Sequence, residues 1–146
     1  MQIATWNINS LAVRLPQVLA WLAANPVDAL ALQELKLTDD KFPHDAFELA
    51  GYHSVCFGQK TYNGVALITR QPVQDTVRNI AGFEDDQARV IGATLPLPGG
   101  ALRLINGYFV NGQAPGTDKF DYKMRWLTAL HDWLREELNA HPCLVL

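Results

Sequence analysis

The sequence predicts an α+β or α/β layered sandwich. Short strands joined by turns dominate the chain, and only two segments carry the periodicity of a long helix. A doubly wound parallel fold would need a more regular alternation of strand and helix. Hydrophobic residues at 49% and charged residues at 18% of 146 positions suffice for one modest domain with a buried core, and they exclude a disordered chain.

The first strand starts at Ile3-Ala4 and ends in Thr5-Trp6-Asn7-Ile8-Asn9. Leu15, Val18, Leu19 and Leu22 then recur at helical spacing, with Pro16 expected early enough in the helix for its missing N–H to do no harm. Asn25-Pro26 stops this helix, and Val27 to Gln33 is the next strand. If the two strands are parallel, a right-handed crossover sets them side by side. Asn7 and Glu34 then meet at matching carboxyl ends, where open α/β sheets place their ligands.

Leu37 to Leu49 reads as a polar loop and a short helix, closed by Gly51. Tyr52 to Phe57 is a strand, Gly58 to Asn63 a turn, and Gly64 to Thr69 a buried strand. Pro72 breaks the chain before an edge strand at Val73 to Val77. Asn79 to Gln87 is an acidic connection. Arg89 to Leu95 and Ala101 to Tyr108 are strands joined by the hairpin signal Pro98-Gly99-Gly100. Asn111 to Asp118 is a loop bearing Gly and Pro. Phe120 to Leu138 is a long helix with Leu127, Leu130, Leu134 and Leu138 on one face, ended by Asn139-Ala140-His141-Pro142. Cys143 to Leu146 opens another core strand.

Net charge is −3, which argues against indiscriminate polyanion binding while allowing a local basic rim. Cys56 and Cys143, far apart and without metal-ligand spacing, are expected to be buried thiols in a reducing, cytoplasmic compartment. The start Met1-Gln2-Ile3 carries no secretory pattern, and no apolar run approaches membrane-spanning length, so no membrane partner is expected.

The chemistry concentrates at Leu30-Ala31-Leu32-Gln33-Glu34, an apolar strand pattern ending on a glutamate. A carboxylate beside a hydrophobic core is costly unless positive charge offsets it, and a hard cation such as Mg²⁺ selects carboxylate oxygen. The plain alternative is the solvated end of a strand. Glu34 and the Asn7 amide can start an Mg²⁺ site, which is normally completed by waters and a substrate phosphate.

The blocks Thr5-Trp6-Asn7-Ile8-Asn9, Leu32-Gln33-Glu34-Leu35-Lys36, Phe57-Gly58-Gln59-Lys60, Asn63-Gly64-Val65-Ala66 and Asn106-Gly107-Tyr108-Phe109 stand in an order that resembles the exonuclease III family. These are Mg²⁺-dependent DNA repair nucleases of the endonuclease/exonuclease/phosphatase superfamily. The resemblance runs over the whole chain from Met1. It implies a DNase I-like four-layered αββα sandwich with mixed, mostly antiparallel sheets. Residues 1–146 then form the N-terminal half of one domain, interrupted before the Gly-Asp-x-Asn strand that would continue Cys143 to Leu146.

Carried over by motif position, Asn7 lies in the metal and phosphate site, Glu34 is the metal ligand, and Tyr108 is the active-site tyrosine whose phenol contacts the scissile phosphate. Lys119 matches the lysine near the substrate phosphate, and Asn111 falls where the substrate-contacting loop begins. The implied cofactor is Mg²⁺, with Mn²⁺ as a substitute. The implied partners are duplex DNA with 3′ ends or abasic sites, and the missing C-terminal half. The implied activity is 3′–5′ exonuclease action on duplex DNA, with abasic-site cleavage as a second capability.

Two alternatives stand beside this: a phosphomonoesterase or lipid phosphodiesterase of the same superfamily, and a half-domain that is inactive by itself. The family's Gly-Asp-x-Asn and Ser-Asp-His motifs are absent, and with them an obvious general base. His44, His53, His131 and His141 lie outside the catalytic histidine motif and read as surface or loop residues. Trp126 and Trp133 share a helix face and should pack on the sheet, while Trp6 abuts the site and fits either packing or base stacking. Glu84-Asp85-Asp86 reads as a solvated acidic run.

Overall fold

The computed structural model describes all 146 residues. Strand β1 (Ile3–Asn7) leads into helix α1 (Leu11–Ala24), strand β2 (Ala29–Gln33), a single 3-10 turn (Asp39–Lys41) and helix α2 (His44–Leu49). Strands β3 (His53–Phe57), β4 (Val65–Thr69), β5 (Gln74–Arg78), β6 (Val90–Leu97) and β7 (Gly100–Gly107) follow. Helix α3 (Asp118–Ala140) and the short strand β8 (Leu144–Val145) close the chain.

The strands form two four-stranded sheets, ordered β1-β2-β4-β3 and β5-β6-β7-β8. Only β1–β2 and β7–β8 are parallel. The β1–α1–β2 crossover therefore gives the expected parallel pair, with Asn7 opposite Gln33. Side chains alternate along each strand, so every strand feeds two layers. Leu30 and Leu32 of β2, with Ala66 and Ile68 of β4, meet Leu11, Val18, Leu22 and Phe47 of the helices. Ala29, Val65 and Leu67 face Ile91, Ala93, Leu95, Leu102 and Leu104 across the gap between the sheets. Val90 and Ile105 point the other way, against Trp126, Leu130 and Trp133 of α3. The layers thus run helix, sheet, sheet, helix, as the sequence led us to expect.

Several details differ from the sequence-based reading. Helix α1 begins earlier than expected, so Pro16 lies inside it. The carbonyl of Ala12 loses its helical donor there, but both residues are on the exposed face, where water can serve it. On α3 the deeply buried stripe is Trp126, Leu130 and Trp133, while Leu127 and Leu134 flank it and Leu138 is exposed. Trp6 faces the helix layer and meets Trp21 edge-on at 6.1 Å, which makes it a packing residue. Cys56 is buried as expected, but Cys143 is exposed because it precedes an edge strand. His44 starts α2 half-buried, with Nδ1 2.7 Å from Ser54 Oγ. Asp85 is not merely solvated: its carboxylate accepts from the Tyr122 hydroxyl at 2.6 Å and from the backbone N–H of Gln87 at 3.0 Å.

One buried ion pair ties α3 to its sheet. Arg103, on the outward face of β7, donates from Nε to Glu137 at 2.6 Å and from Nη1 to the carbonyl of Asp75 at 2.8 Å. A buried guanidinium is tolerated because its donors are matched in this way.

Candidate active site

At one end of the sandwich, β2 stops abruptly. Glu34 and Lys36 adopt left-handed backbone (φ 58° and 56°), as do Asn9 (φ 46°) and Asn63 (φ 54°) in the adjoining loops. Such conformations cost energy in residues other than glycine and persist only where the surroundings fix them. Here they are fixed from both sides. The carbonyls of Glu34 and Leu35 accept from the N–H groups of Ser10 and Leu11 at the start of α1, at 2.8 and 3.0 Å. The N–H groups of Leu35 and Lys36 donate to the carbonyls of Gly64 and Asn63, at 3.1 and 3.0 Å. Gly64 has φ +89°, and a Cβ there would lie 2.9 Å from that of Leu35. The Asn63-Gly64 block is therefore the clamp that holds the Glu34 loop.

This clamp turns the Glu34 carboxylate back over the inner faces of the sheets. Its Oε1 accepts from Asn7 Nδ2 at 2.9 Å and from the Tyr108 hydroxyl at 2.8 Å. Its Oε2 pairs with the Lys36 ammonium at 3.1 Å. Lys36 also donates to Asn9 Oδ1, and Asn7 Oδ1 accepts from the N–H of Asn9 at 3.2 Å. The Asn7 bond above all holds the Glu34 carboxyl below its ordinary range, Tyr108 and Lys36 acting the same way against the opposing cost of burial. Glu34 is thus a carboxylate at neutral pH. Burial first, and the Glu34 bond second, push the Tyr108 phenol above its usual value, so it remains a proton donor.

The structure therefore brings Asn7, Glu34 and Tyr108 together. Asn111 and Lys119 are not part of this contact set. Asn111 sits in the exposed loop after β7, its Oδ1 accepting from the N–H of Gln113 at 3.3 Å. Lys119 lies exposed in the first turn of α3, and its side chain forms no hydrogen bond or ion pair.

Sequence reasoning passed over four participants. Lys36 was quoted only as part of a motif. Arg89 reaches Tyr108 twice: Nη1 donates to its carbonyl at 3.0 Å, and the guanidinium lies 5.0 Å from its ring centre. Gln33 and Asn106 meet between the sheets, Gln33 Nε2 donating to Asn106 Oδ1 at 2.6 Å. A polar residue one or two positions before a site residue was the available signal for both.

A cleft of about 660 Å³ runs from this site between the sheets, along the side where β1 and β8 form the edges. Ile3, Thr5, Ala31, Leu104, Tyr108 and Leu146 are among its walls. No three His, Cys, Asp or Glu side chains converge anywhere to hold a metal. Glu34 is the one carboxylate at the site. Together with the free lone pair of Asn7 Oδ1 it is a hard oxygen donor set suited to Mg²⁺ but short of a full shell.

The family model described as Endonuclease/Exonuclease/phosphatase family matches residues 4–146. Exodeoxyribonuclease III of Haemophilus influenzae is 36% identical over 149 residues, which take in 100% of this chain and 56% of that protein. The structure of the Neisseria 3′ phosphatase NExo bound to a product DNA hairpin superposes with a TM-score of 0.92 at 50% identity, covering 99% of this chain and 55% of that one. An AP endonuclease from Archaeoglobus fulgidus gives a TM-score of 0.86 at 35% identity, over 93% of this chain and 51% of that one. The chain thus spans about half the length of the relatives it matches.

Proposed function

We propose that this chain, which belongs to the endonuclease/exonuclease/phosphatase family, supplies one half of the active site of a Mg²⁺-dependent DNA repair nuclease that hydrolyses phosphodiesters at the 3′ ends of duplex DNA. The observation that carries the reading is the convergence on Glu34 of the Asn7 amide, the Tyr108 hydroxyl and the Lys36 ammonium. Support for DNA as substrate comes from the Haemophilus and Neisseria relatives.

Glu34 and Asn7 would hold the divalent cation, which when bound takes up negative charge developing on the phosphate. Tyr108 keeps its proton and donates it as a hydrogen bond to a phosphate oxygen, the role of a preorganised donor. Lys36 adds a second positive charge beside the same phosphate. The clamp through Asn63 and Gly64 keeps Glu34 from relaxing away. Asn111 and Lys119, on the loop and helix that follow Tyr108, are assigned to DNA contacts farther along the strand. A general base and the remaining oxygen ligands would come from the portion that the relatives have beyond the length matched here.

The test is digestion of a duplex with recessed 3′ ends by the protein at the length of its relatives, with Mg²⁺ and with excess chelator. Release of 3′ nucleotides that chelator abolishes is expected, and Mn²⁺ should restore it. Phosphate release from small phosphoesters or lipids without action on DNA would overturn the reading. A second reading, removal of a 3′-terminal phosphate from DNA, is favoured by the identity with the Neisseria 3′ phosphatase. A duplex bearing a 3′ phosphate, assayed alongside, separates the two.

A further inference from the structure

We infer that Gln33 and Asn106 are a positioning pair that fixes the alignment of one sheet on the other, and through it the meeting of Glu34 with Tyr108. The inference rests on the nuclease reading above. The layer between the sheets is otherwise mainly alanine, valine, leucine and isoleucine with the Phe57 and Tyr108 rings; away from the pair, Arg78 Nε donates to the Cys56 carbonyl at 3.2 Å and the Gly64 N–H to that of Ala88 at 2.9 Å. Apolar packing of that kind has no preferred direction, so it holds the sheets together without fixing how far one slides along the other. Hydrogen bonds between buried amides are directional, and breaking one is costly where water cannot replace it.

The pair lies at the end of the interface nearest the site. Gln33 Nε2 donates to Asn106 Oδ1 at 2.6 Å and to Thr5 Oγ1 at 2.9 Å, with Ala31 O more distant at 3.3 Å. Asn106 Nδ2 donates to the carbonyls of Leu32 and Ala66, at 2.8 and 2.9 Å. These bonds tie β7 to β1, β2 and β4 at once. No buried polar side-chain atom is left without a partner. The pair is adjacent in sequence to the two groups it aligns: Gln33 directly precedes Glu34, and Gly107 alone separates Asn106 from Tyr108. A slip of about 1 Å between the sheets would part the Tyr108 hydroxyl from Glu34, and misplacement on that scale can cost about 10²-fold in rate.

The experiment replaces the pair by apolar side chains of similar size, Gln33→Met with Asn106→Leu, in the protein at the length of its relatives. Thermal melting, circular dichroism and steady-state kinetics on duplex DNA are measured with and without Tyr108→Phe. The folded apolar pair should lose about 10²-fold in kcat with KM changed by less than about 3-fold. In that background Tyr108→Phe should cost almost nothing further, because its hydroxyl is already out of place. The exchanged pair, Gln33→Asn with Asn106→Gln, should recover most of kcat. If the apolar pair does not fold, Gln33→Met alone is held to the same outcomes. An active wild type with an apolar pair that keeps its kcat, or in which Tyr108→Phe costs its full factor, would overturn the inference and leave the nuclease reading standing. An inactive wild type would overturn both.

Discussion

Removing the Tyr108 hydroxyl separates packing from chemistry more cleanly than any other single change. In Tyr108→Phe the ring stays, with its packing against the apolar layer between the sheets and under the Arg89 guanidinium. What is lost is one hydrogen bond to a carboxylate, 2.8 Å long. A bond to a charged group contributes about 1.5–3 kcal/mol. Glu34 keeps the Asn7 and Lys36 contacts and has access to water, with 19% of its side-chain surface exposed. The stability loss should therefore fall at or below about 1.5 kcal/mol. On the proposed reading the same hydroxyl would face phosphate charge developing in the transition state, and loss of one such donor costs about 2.7–4 kcal/mol, or 10²–10³ in rate. The assay is kcat/KM on duplex DNA with Mg²⁺, beside a melting temperature. A sharp fall in melting temperature with kcat/KM of the folded protein unchanged would show that Tyr108 is structural and refute the reasoning.

If Glu34 is the proposed metal ligand, Glu34→Gln should lower Mg²⁺-dependent nuclease activity by at least about 10²-fold, since it would remove a charged ligand rather than a supporting group; near-normal rates at low millimolar Mg²⁺ would contradict the assignment. Glu137→Leu should destabilise the fold by about 3 kcal/mol in urea melts by stranding the buried Arg103. Adding Arg103→Met should recover most of that loss, whereas no loss in the single variant would mean the pair is idle. Burial first, and the carboxylate of Asp39 second, push the Cys56 thiol up to about 12. The folded 146-residue chain at pH 8 should therefore be alkylated at the exposed Cys143 and spared at Cys56, as peptide mass mapping will show. Equal labelling would place Cys56 in a different environment.

Much of the fold was legible because the strands are short apolar runs and the turns between them are marked by Gly and Pro. The β1–α1–β2 unit followed from the Leu15–Leu22 spacing and from Asn25-Pro26, and its parallel pairing put Asn7 and Glu34 where the sequence led us to expect them. What the sequence concealed is tertiary. Nothing local says that Gln33 and Asn106, 73 positions apart, will meet across two sheets. Nor does the Glu34 side chain declare that left-handed backbone will fold it back onto Tyr108, because that geometry depends on the Asn63 and Gly64 carbonyls, which accept from the N–H groups of Lys36 and Leu35. Cys143 was misjudged for a related reason: an apolar neighbourhood in sequence does not guarantee cover in space.

The most direct measurement is complementation. Glu34 is the single carboxylate at the site, and the chain spans about half of its relatives. The 146-residue chain should therefore show no nuclease activity on duplex DNA with Mg²⁺. Its apolar cleft, with Ile3, Val145 and Leu146 exposed beside it, should also drive self-association in light scattering. Adding a separately expressed polypeptide corresponding to the second half of the relatives should restore activity with the wild-type chain and not with Glu34→Gln. A monomeric 146-residue chain that digests duplex DNA by itself would contradict the proposed division of the site between two halves.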